Sequence, residues 1–441
     1  MLSEAGRHPK NMIFFRRENT VADGLWIRGV LKTSSGVERY LNGTAADIVE
    51  LYLGGLGVDE IVEVLAGRYD APVERIRADV AGFVGGLGAE LGGGEARVVG
   101  GGVPAEPLEW FLRAPLTLFL ELTYRCNLGC RHCYASAGRA VEGELGTGEV
   151  YGLLEEAAEM GVVGVALGGG EPLLREDFLD IVGRAVRLGL WVEFSTNGFF
   201  LGGEVLDGLA RLGVLWVQVS LEGGAAVNDA IRSPGSFDAA VEAIRRAKER
   251  GFSVTVRTTV QRGNIGRLGE MLELLRGLGV DTWFLAQVIP SGRALEDRGV
   301  LVSSEEYGRA VEEVRAAARG RPRVIGGVSG GLEVGGGAGG KVMCPAGFSI
   351  LSVTPRGLVK PCPYFPDRFS DGSVRERGLR EIWYGGRVLG RLRRLRRRDL
   401  WEPCRSCVYR CGGGCRAAAA SVYGSVEAPD PLCGRVGWAR V

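Results

Sequence analysis

The sequence predicts an α/β protein in three parts. A parallel sheet with covering helices is preceded by a small winged-helix-like α+β module and followed by a Cys-rich domain. Three observations carry this reading. Between 115 and 320, apolar runs alternate with amphipathic helical stretches six times, as in a parallel sheet built from strand–helix units. Ahead of it, two or three short strands run into three helices. Behind it lie Cys344, Cys362, Cys404, Cys407, Cys411, Cys415 and Cys433, seven of the ten cysteines.

At 441 residues the chain is long enough for two or three domains. Its net charge of +1 argues against nucleic acid or an anionic membrane as a partner. No run of about 18 apolar residues is present, so no membrane span is expected. The N-terminus, MLSEAGRHPKNMIFF, lacks the apolar core of a secretion signal, which places the chain in the cytoplasm. Ten cysteines in such a chain read as metal ligands rather than a disulfide frame. Only His8 and His132 are available for histidine acid–base catalysis.

The N-terminal part opens with strands at 12–17 and 25–31. A helix follows over 44–53, with Thr44 as its expected N-cap. A second helix covers 58–69, its apolar face formed by Ile61, Val62 and Leu65. Pro72 opens a third over 73–91. From the residues alone this is a small winged-helix-like α+β module or a plain packing appendage. The run Tyr40–Ile48, with Ile61–Leu65, Tyr69-Asp70 and Asp79-Val80, resembles the peptide-chaperone protein of pyrroloquinoline quinone biosynthesis. That resemblance implies that 12–92 is a leader-peptide recognition element. The leader would add a strand at its sheet edge, with specificity pockets between that edge and the third helix near 73–83. The Gly-rich segment 93–112 reads as a linker, a flexible hinge that presents different positions along one peptide.

In the central part, strands are expected at 116–122, 162–167, 191–195, 214–220, 253–259 and 282–288. Helices are expected at 149–160, 175–188, 237–250 and 268–278. Site residues in such folds gather at the C-terminal strand ends. The first strand runs directly into Cys126-x3-Cys130-x2-Cys133, followed by Tyr134. Three thiols on one loop suit three corners of an iron–sulfur cluster, which normally takes four. A fourth iron would stay open to a ligand, as in catalytic metal sites. The bare spacing also suits half of a zinc site.

This spacing, with its trailing aromatic, resembles the signature of radical S-adenosylmethionine (radical SAM) enzymes. The resemblance implies a partial (β/α)6 TIM-type barrel over 113–325 with cluster and SAM at its open end. The amine and carboxylate of SAM would chelate the open iron, and an electron would cleave SAM to methionine and a 5′-deoxyadenosyl radical. Strand two ends in Gly168-Gly169-Gly170-Glu171-Pro172, on its own a tight turn. In the resembling family the backbone and carboxylate of this motif hold the SAM amino group. Ser195 and Asn197 after strand three, and Ser220 on strand four, fall on family positions that meet SAM or substrate. Arg232 resembles an arginine that meets the SAM carboxylate, with an exposed surface arginine as the alternative. Gly292 lies in a turn that the family places near adenosine. Tyr134 packs on adenine or covers the cluster. Glu222 stands where many relatives have Asp, and no residue beyond the SAM cluster is assigned a catalytic role.

Residues 326–340 are a Gly-rich connector, after which the seven cysteines begin. A zinc ribbon uses four and leaves three over; two clusters use all seven with one ligand missing. Cys344, then Gly357 five residues ahead of Cys362, then a four-Cys knot and a last Cys resemble the SPASM extension of peptide-modifying radical SAM enzymes. The knot is C-x2-C-x3-C-x3-C, three residues after its second Cys where the family usually has five. Over 341–441 the resemblance implies one auxiliary 4Fe–4S cluster on Cys344, Cys362 and Cys415, and another on Cys404, Cys407, Cys411 and Cys433. With the SAM cluster that makes three. The basic run 391–398 reads as a solvated helix face, or as a docking site for an acidic partner.

The expected function is therefore that of a radical SAM maturase of a ribosomally made precursor peptide (a RiPP), forming a crosslink such as a thioether or C–C bond. Its electrons would come from reduced ferredoxin or flavodoxin. Two other readings stand beside it. One is a radical SAM enzyme of cofactor biosynthesis acting on a tetrapyrrole or quinone precursor. The other is a non-catalytic iron–sulfur redox protein, which would need no SAM pocket.

Overall fold

The structure, a computed structural model, describes residues 12–22, 25–33, 38–69, 71–91, 95–99, 108–109, 111–326, 332–334, 341–407 and 413–436. Its N-terminal sheet begins with β1 (Met12–Ala22), β2 (Leu25–Thr33) and β3 (Glu38–Leu41), each antiparallel to the one before. Helices α1 (Gly43–Leu53), α2 (Val58–Ala66) and α3 (Val73–Leu91) follow. The first is capped by Asn42, whose side chain accepts from the backbone N–H of Ala45; Thr44 lies inside the helix, so the cap sits two residues earlier than its sequence suggested. Ile61, Val62 and Leu65 are buried, as their spacing predicts.

The described residues of the segment 93–112 are not all slack. They include β4 (Glu95–Val98) and β5 (Leu108–Glu109), both parallel to β1. The edge of β1 offers unpaired backbone groups, and pairing them outweighs the freedom that the neighbouring glycines favour.

Six parallel strands follow in simple order: β6 (Thr117–Thr123), β7 (Gly164–Gly169), β8 (Trp191–Thr196), β9 (Trp216–Ser220), β10 (Ser253–Val260) and β11 (Thr282–Gln287). Helices such as Thr147–Met160, Phe178–Arg187 and Ser236–Glu249 cover one face. The sequence reading missed the helices Gly203–Arg211 and Ser304–Ala317. It also missed how the sheet grows at both edges. On one side β12 (Arg323–Gly326) adds in parallel to β11. Past a hairpin of β13 (Leu332–Val334) and β14 (Lys341–Met343), β15 (Ile350–Val353) adds in parallel to β6, and β16 (Val359–Lys360) returns antiparallel. The Cys-rich part thus shares one sheet with the central domain.

Alternation along β10 shows how the sheet serves two faces. Val254, Val256, Thr258 and Val260 are buried, and the valines join the core beneath the helices. Ser253, Thr255, Arg257 and Thr259 line an interior cavity.

The N-terminal module closes the end of the sheet opposite the site loops. Phe14 and Tyr40 pack with Leu116 and Val163, just ahead of β6 and β7, with Trp191 at the start of β8, and with Phe348 ahead of β15. Arg16 on β1 is fully buried there. It donates to the carbonyls of Ala114 (2.7 Å), Gly161 (2.6 Å) and Pro115 (3.2 Å) and pairs with Glu18 at 2.6 Å. Glu18 accepts in turn from the backbone N–H of Arg113.

The basic run is not wholly a solvated face. Arg393 is buried between Phe111 and Trp383, its guanidinium carbon 3.9 and 4.3 Å from their ring centroids, and it donates to the carbonyl of Gly347. Arg391 pairs with Glu427. Among the described residues no helix is long and apolar enough to cross a membrane.

Candidate active site

A cavity of about 1100 Å³ runs inside the sheet from the C-terminal strand ends towards the N-terminal module. The loop after β6 brings Cys126, Cys130 and Cys133 to its wall. Burial pushes the Cys126 thiol up to about 11 and the Cys130 thiol up as well, so a cationic cluster is what would favour their thiolates. The loop itself is tied down. The N–H of Cys126 donates to the carbonyl of Gly138. Arg293 holds the carbonyls of Cys130 and Ala137 with its side chain, and that of Cys133 with its backbone N–H.

Arg293 was not singled out from the sequence; its place beside Gly292 was the available signal. A Cβ at Gly292 (φ +55°) would overlap the carbonyls of Tyr134 and Cys133, so only glycine lets this turn meet the cluster loop. A Cβ at Gly170 would likewise overlap the carbonyl of Arg125. The Gly-Gly-Glu turn therefore lies directly on the cluster loop.

Glu171 is 1% exposed and bonds to protein on both oxygens. It accepts from the hydroxyl of Thr196 (2.8 Å) and from the backbone N–H groups of Asn197 (2.8 Å) and Leu173 (3.2 Å). It thus ties the end of β7 to the end of β8 while lining the cavity. Burial, opposed by these bonds, pushes its carboxyl up to about 7. Pro172 begins the 3-10 turn behind it. Asn197 donates to the side chain of Asn127 in the cluster loop. Ser195, which accepts from Gln218, and Ser220 also face the cavity.

Arg232 lines the cavity but is paired with Glu222 at 2.7 Å, and its Nη1 lies 3.8 Å from the sulfur of Cys130. It is therefore not a surface arginine. Glu222 also accepts from the backbone N–H of Thr259 and sits 3.5 Å from Nε2 of His132. His132, inside the Cys motif, has its Nδ1 2.9 Å from Nε2 of Gln261, and burial holds its imidazole down at about 4. Glu222 and Arg232 were each marked in the sequence, but nothing there joined them to His132 and Gln261. The Tyr134 ring packs edge-to-face on Tyr364, centroids 5.0 Å apart.

In the C-terminal part Cys344, Cys362 and Cys415 come together. Burial pushes Cys362 up to about 12 with Cys344 adding to the shift, and Cys415 is raised by burial, Asp430 and both of these thiols. Cys415 caps the helix Arg416–Tyr423, and its N–H donates to Asp430. Cys404 and Cys407 share one turn, and Cys433 follows Asp430; Cys411 lies outside the described residues. Among the described residues no three His, Cys, Asp or Glu side chains converge on a point that could hold one metal ion. A donor set of thiols suits iron–sulfur clusters, in which each thiolate binds its own iron.

Comparison with known proteins identifies these parts. The profile of the Radical SAM superfamily matches residues 120–275. That of coenzyme PQQ synthesis protein D (PqqD) matches 33–90, and that of the SPASM iron–sulfur cluster-binding domain matches 344–408. The chain is 36% identical over 342 residues to mycofactocin maturase MftC of Mycobacterium ulcerans, covering 74% of this chain and 90% of that one. The chain belongs to the radical SAM superfamily. It is also 37% identical over 331 residues to the PqqA peptide cyclase of Streptomyces rochei, covering 73% and 90% of the two chains. The fold is that of Streptococcus suis SuiB, solved with its precursor peptide SuiA, with a TM-score of 0.65 at 17% identity over 96% of this chain and 98% of that one. As a radical SAM enzyme with a SPASM domain, the protein uses SAM and 4Fe–4S clusters, and the redox-carrier reading falls away.

Proposed function

We propose that this radical SAM enzyme matures a ribosomally made precursor peptide, captured by its leader on residues 12–92. The observation that carries this is a groove on the N-terminal module. β3 is the last hydrogen-bonded strand of its sheet, with β13 packed near it, and beside it a cavity of about 170 Å³ is walled by Leu31 and Arg39 from the sheet and by Gly82, Phe83, Gly86 and Leu87 from α3. An edge strand offers backbone hydrogen bonds to an extended peptide, and such pockets read its side chains. The PqqD match over these residues, and relatives named for acting on peptides, support the same reading. A tetrapyrrole or quinone precursor would leave this groove without a ligand.

In this reading 113–325 forms the partial (β/α)6 barrel and 341–441 the SPASM domain. The SAM cluster rests on Cys126, Cys130 and Cys133. One auxiliary cluster rests on Cys344, Cys362 and Cys415, and the other on Cys404, Cys407, Cys411 and Cys433. When bound, the SAM cluster and SAM supply a deoxyadenosyl radical. Gly169, Gly170, Glu171 and Pro172 cradle the SAM amino group; Ser195, Asn197, Ser220 and Gly292 border the rest of the pocket. Arg232 keeps its pair with Glu222 while presenting its charge to the SAM carboxylate, and Tyr134, braced by Tyr364, shields the cluster. Thiols kept as cluster ligands rather than disulfides favour the cytoplasm, where reduced ferredoxin or flavodoxin supplies electrons.

The groove gives a direct test. A Cβ at Gly82 or Gly86 meets nothing within 4 Å, so Gly86→Phe fills the groove without disturbing the helix. Leader binding should weaken by about tenfold or more, measured with a precursor encoded by a neighbouring reading frame. Peptide-free SAM cleavage should stay at the parent rate. Undiminished modification of the precursor, read by mass spectrometry, overturns the leader reading.

Glu171 sets an expected pH dependence. Its carboxyl titrates near 7, so it is neutral below that pH and ionised above it. A hydrogen bond from the SAM amine to the ionised carboxylate is worth about 1.5–3 kcal/mol. SAM affinity should therefore rise about tenfold from pH 6 to 8, while Glu171→Gln, which cannot ionise, gives a flat profile. Anaerobic equilibrium dialysis measures both; a parallel rise in the variant removes Glu171 from the SAM site.

A further inference from the structure

One cation in the cavity wall has no role in the site described above. Arg257 lies on β10, in register with Ser220 on β9 and Phe284 on β11, one inward-facing position below Thr259. Its guanidinium carbon lies 4.8 Å from the centroid of the Phe284 ring. Its Nη2 is 3.1 Å from the hydroxyl of Tyr364, two residues beyond Cys362. Stacking and this bond together fix the plane of the fork.

Lys32 and Arg323 line the cavity at the N-terminal strand ends, and three of its other cations contrast with Arg257. Arg232 is paired with Glu222, Arg321 with Asp281, and Arg293 spends its donors on backbone carbonyls. Among the described residues no carboxylate lies within ion-pair distance of Arg257. A guanidinium has five N–H donors, and that of Arg257 makes this one hydrogen bond within the described chain. A half-buried, oriented and uncompensated cation favours any anion that enters the cavity, and its fork suits a carboxylate.

We propose that Arg257 is a substrate-binding residue that receives a carboxylate of the peptide and so selects which segment is presented to the radical. This rests on the peptide-maturase reading and deepens it. The carboxylate comes either from an Asp or Glu side chain or from the peptide C-terminus. In both cases it lies in the layer of Ser220 and Phe284, with the Phe284 ring beside it.

The test uses the reconstituted enzyme with SAM bound and four small probes. N-acetylglutamate α-methylamide is compared with its glutamine isostere, and N-acetyl-dialanine with its C-terminal amide. By titration calorimetry or saturation-transfer NMR, one acid should bind about tenfold or more tighter than its neutral partner, and which pair shows the preference identifies the source. The preference should vanish in Arg257→Gln and persist in reduced form in Arg257→Lys, with SAM affinity and cluster absorbance held in both. Equal binding of acids and isosteres to the parent enzyme overturns the proposal, as does an unchanged preference in Arg257→Gln. A tenfold loss of SAM affinity in Arg257→Gln also overturns it and moves the residue to the SAM pocket. These probes report on the cavity alone, so their outcome is separable from that of Gly86→Phe, which reports on leader capture.

Discussion

Replacing Cys126, Cys130 and Cys133 together with Ala is expected to abolish SAM cleavage and to remove about one third of the iron. The three side chains reach the cavity wall from one loop. That loop is held by Arg293 and by backbone bonds that do not involve the thiols. The alanine variant therefore keeps the loop and loses only the ligands. The remaining iron is expected on the C-terminal cysteines, of which Cys344, Cys362 and Cys415 lie together. Iron analysis of anaerobically reconstituted protein, with chromatographic assay of deoxyadenosine, reads both effects. Residual SAM cleavage would show that this loop does not carry the reactive cluster. Zinc recovered from the parent protein would remove the auxiliary clusters from the C-terminal part.

Arg16→Ala should destabilise the protein by about 3–5 kcal/mol, because it strands a buried partner. Arg16 and Glu18 are fully shielded from water where the module meets the central domain. Arg16 alone satisfies bonds to the carbonyls of Ala114, Pro115 and Gly161, and its loss leaves Glu18 with a buried charge and only the weaker help of Arg113. Arg113 is itself held down at about 10 by burial and by the neighbouring Arg16. The double variant Arg16→Met, Glu18→Leu should recover much of the loss, since apolar groups of similar size replace a buried pair at little net cost. Urea unfolding of the cluster-free protein measures the series. A loss under about 1 kcal/mol for Arg16→Ala would mean that the module is only lightly attached. The same contact predicts that cutting away residues 1–92 uncovers Leu116, Val163 and Trp191 and weakens the whole chain. Groove-filling at Gly86 is therefore the cleaner probe of leader binding.

Much was legible in the sequence because it rests on local pattern. Apolar runs with helical spacing between them gave the six parallel strands, since alternation and amphipathicity are properties of a segment. The spacing of Cys126, Cys130 and Cys133, and the Gly-Gly-Glu turn at Glu171, marked one site because both follow strands that must end on the same side of a parallel sheet. Tertiary structure decided what depends on partners far along the chain. Glycine-rich composition read as slack from 93 to 112, yet β4 and β5 found the open edge of β1. A charged run read as solvated, yet Arg393 is clasped between Phe111 and Trp383. Arg232 and Glu222 each carried a separate expectation; in space they are one ion pair beside Cys130. Arg257 carried none, since a lone arginine in a strand has no signature. Its meaning comes from Phe284 and Tyr364, brought beside it by the sheet and by the return of the C-terminal part, with no carboxylate in ion-pair distance among the described residues.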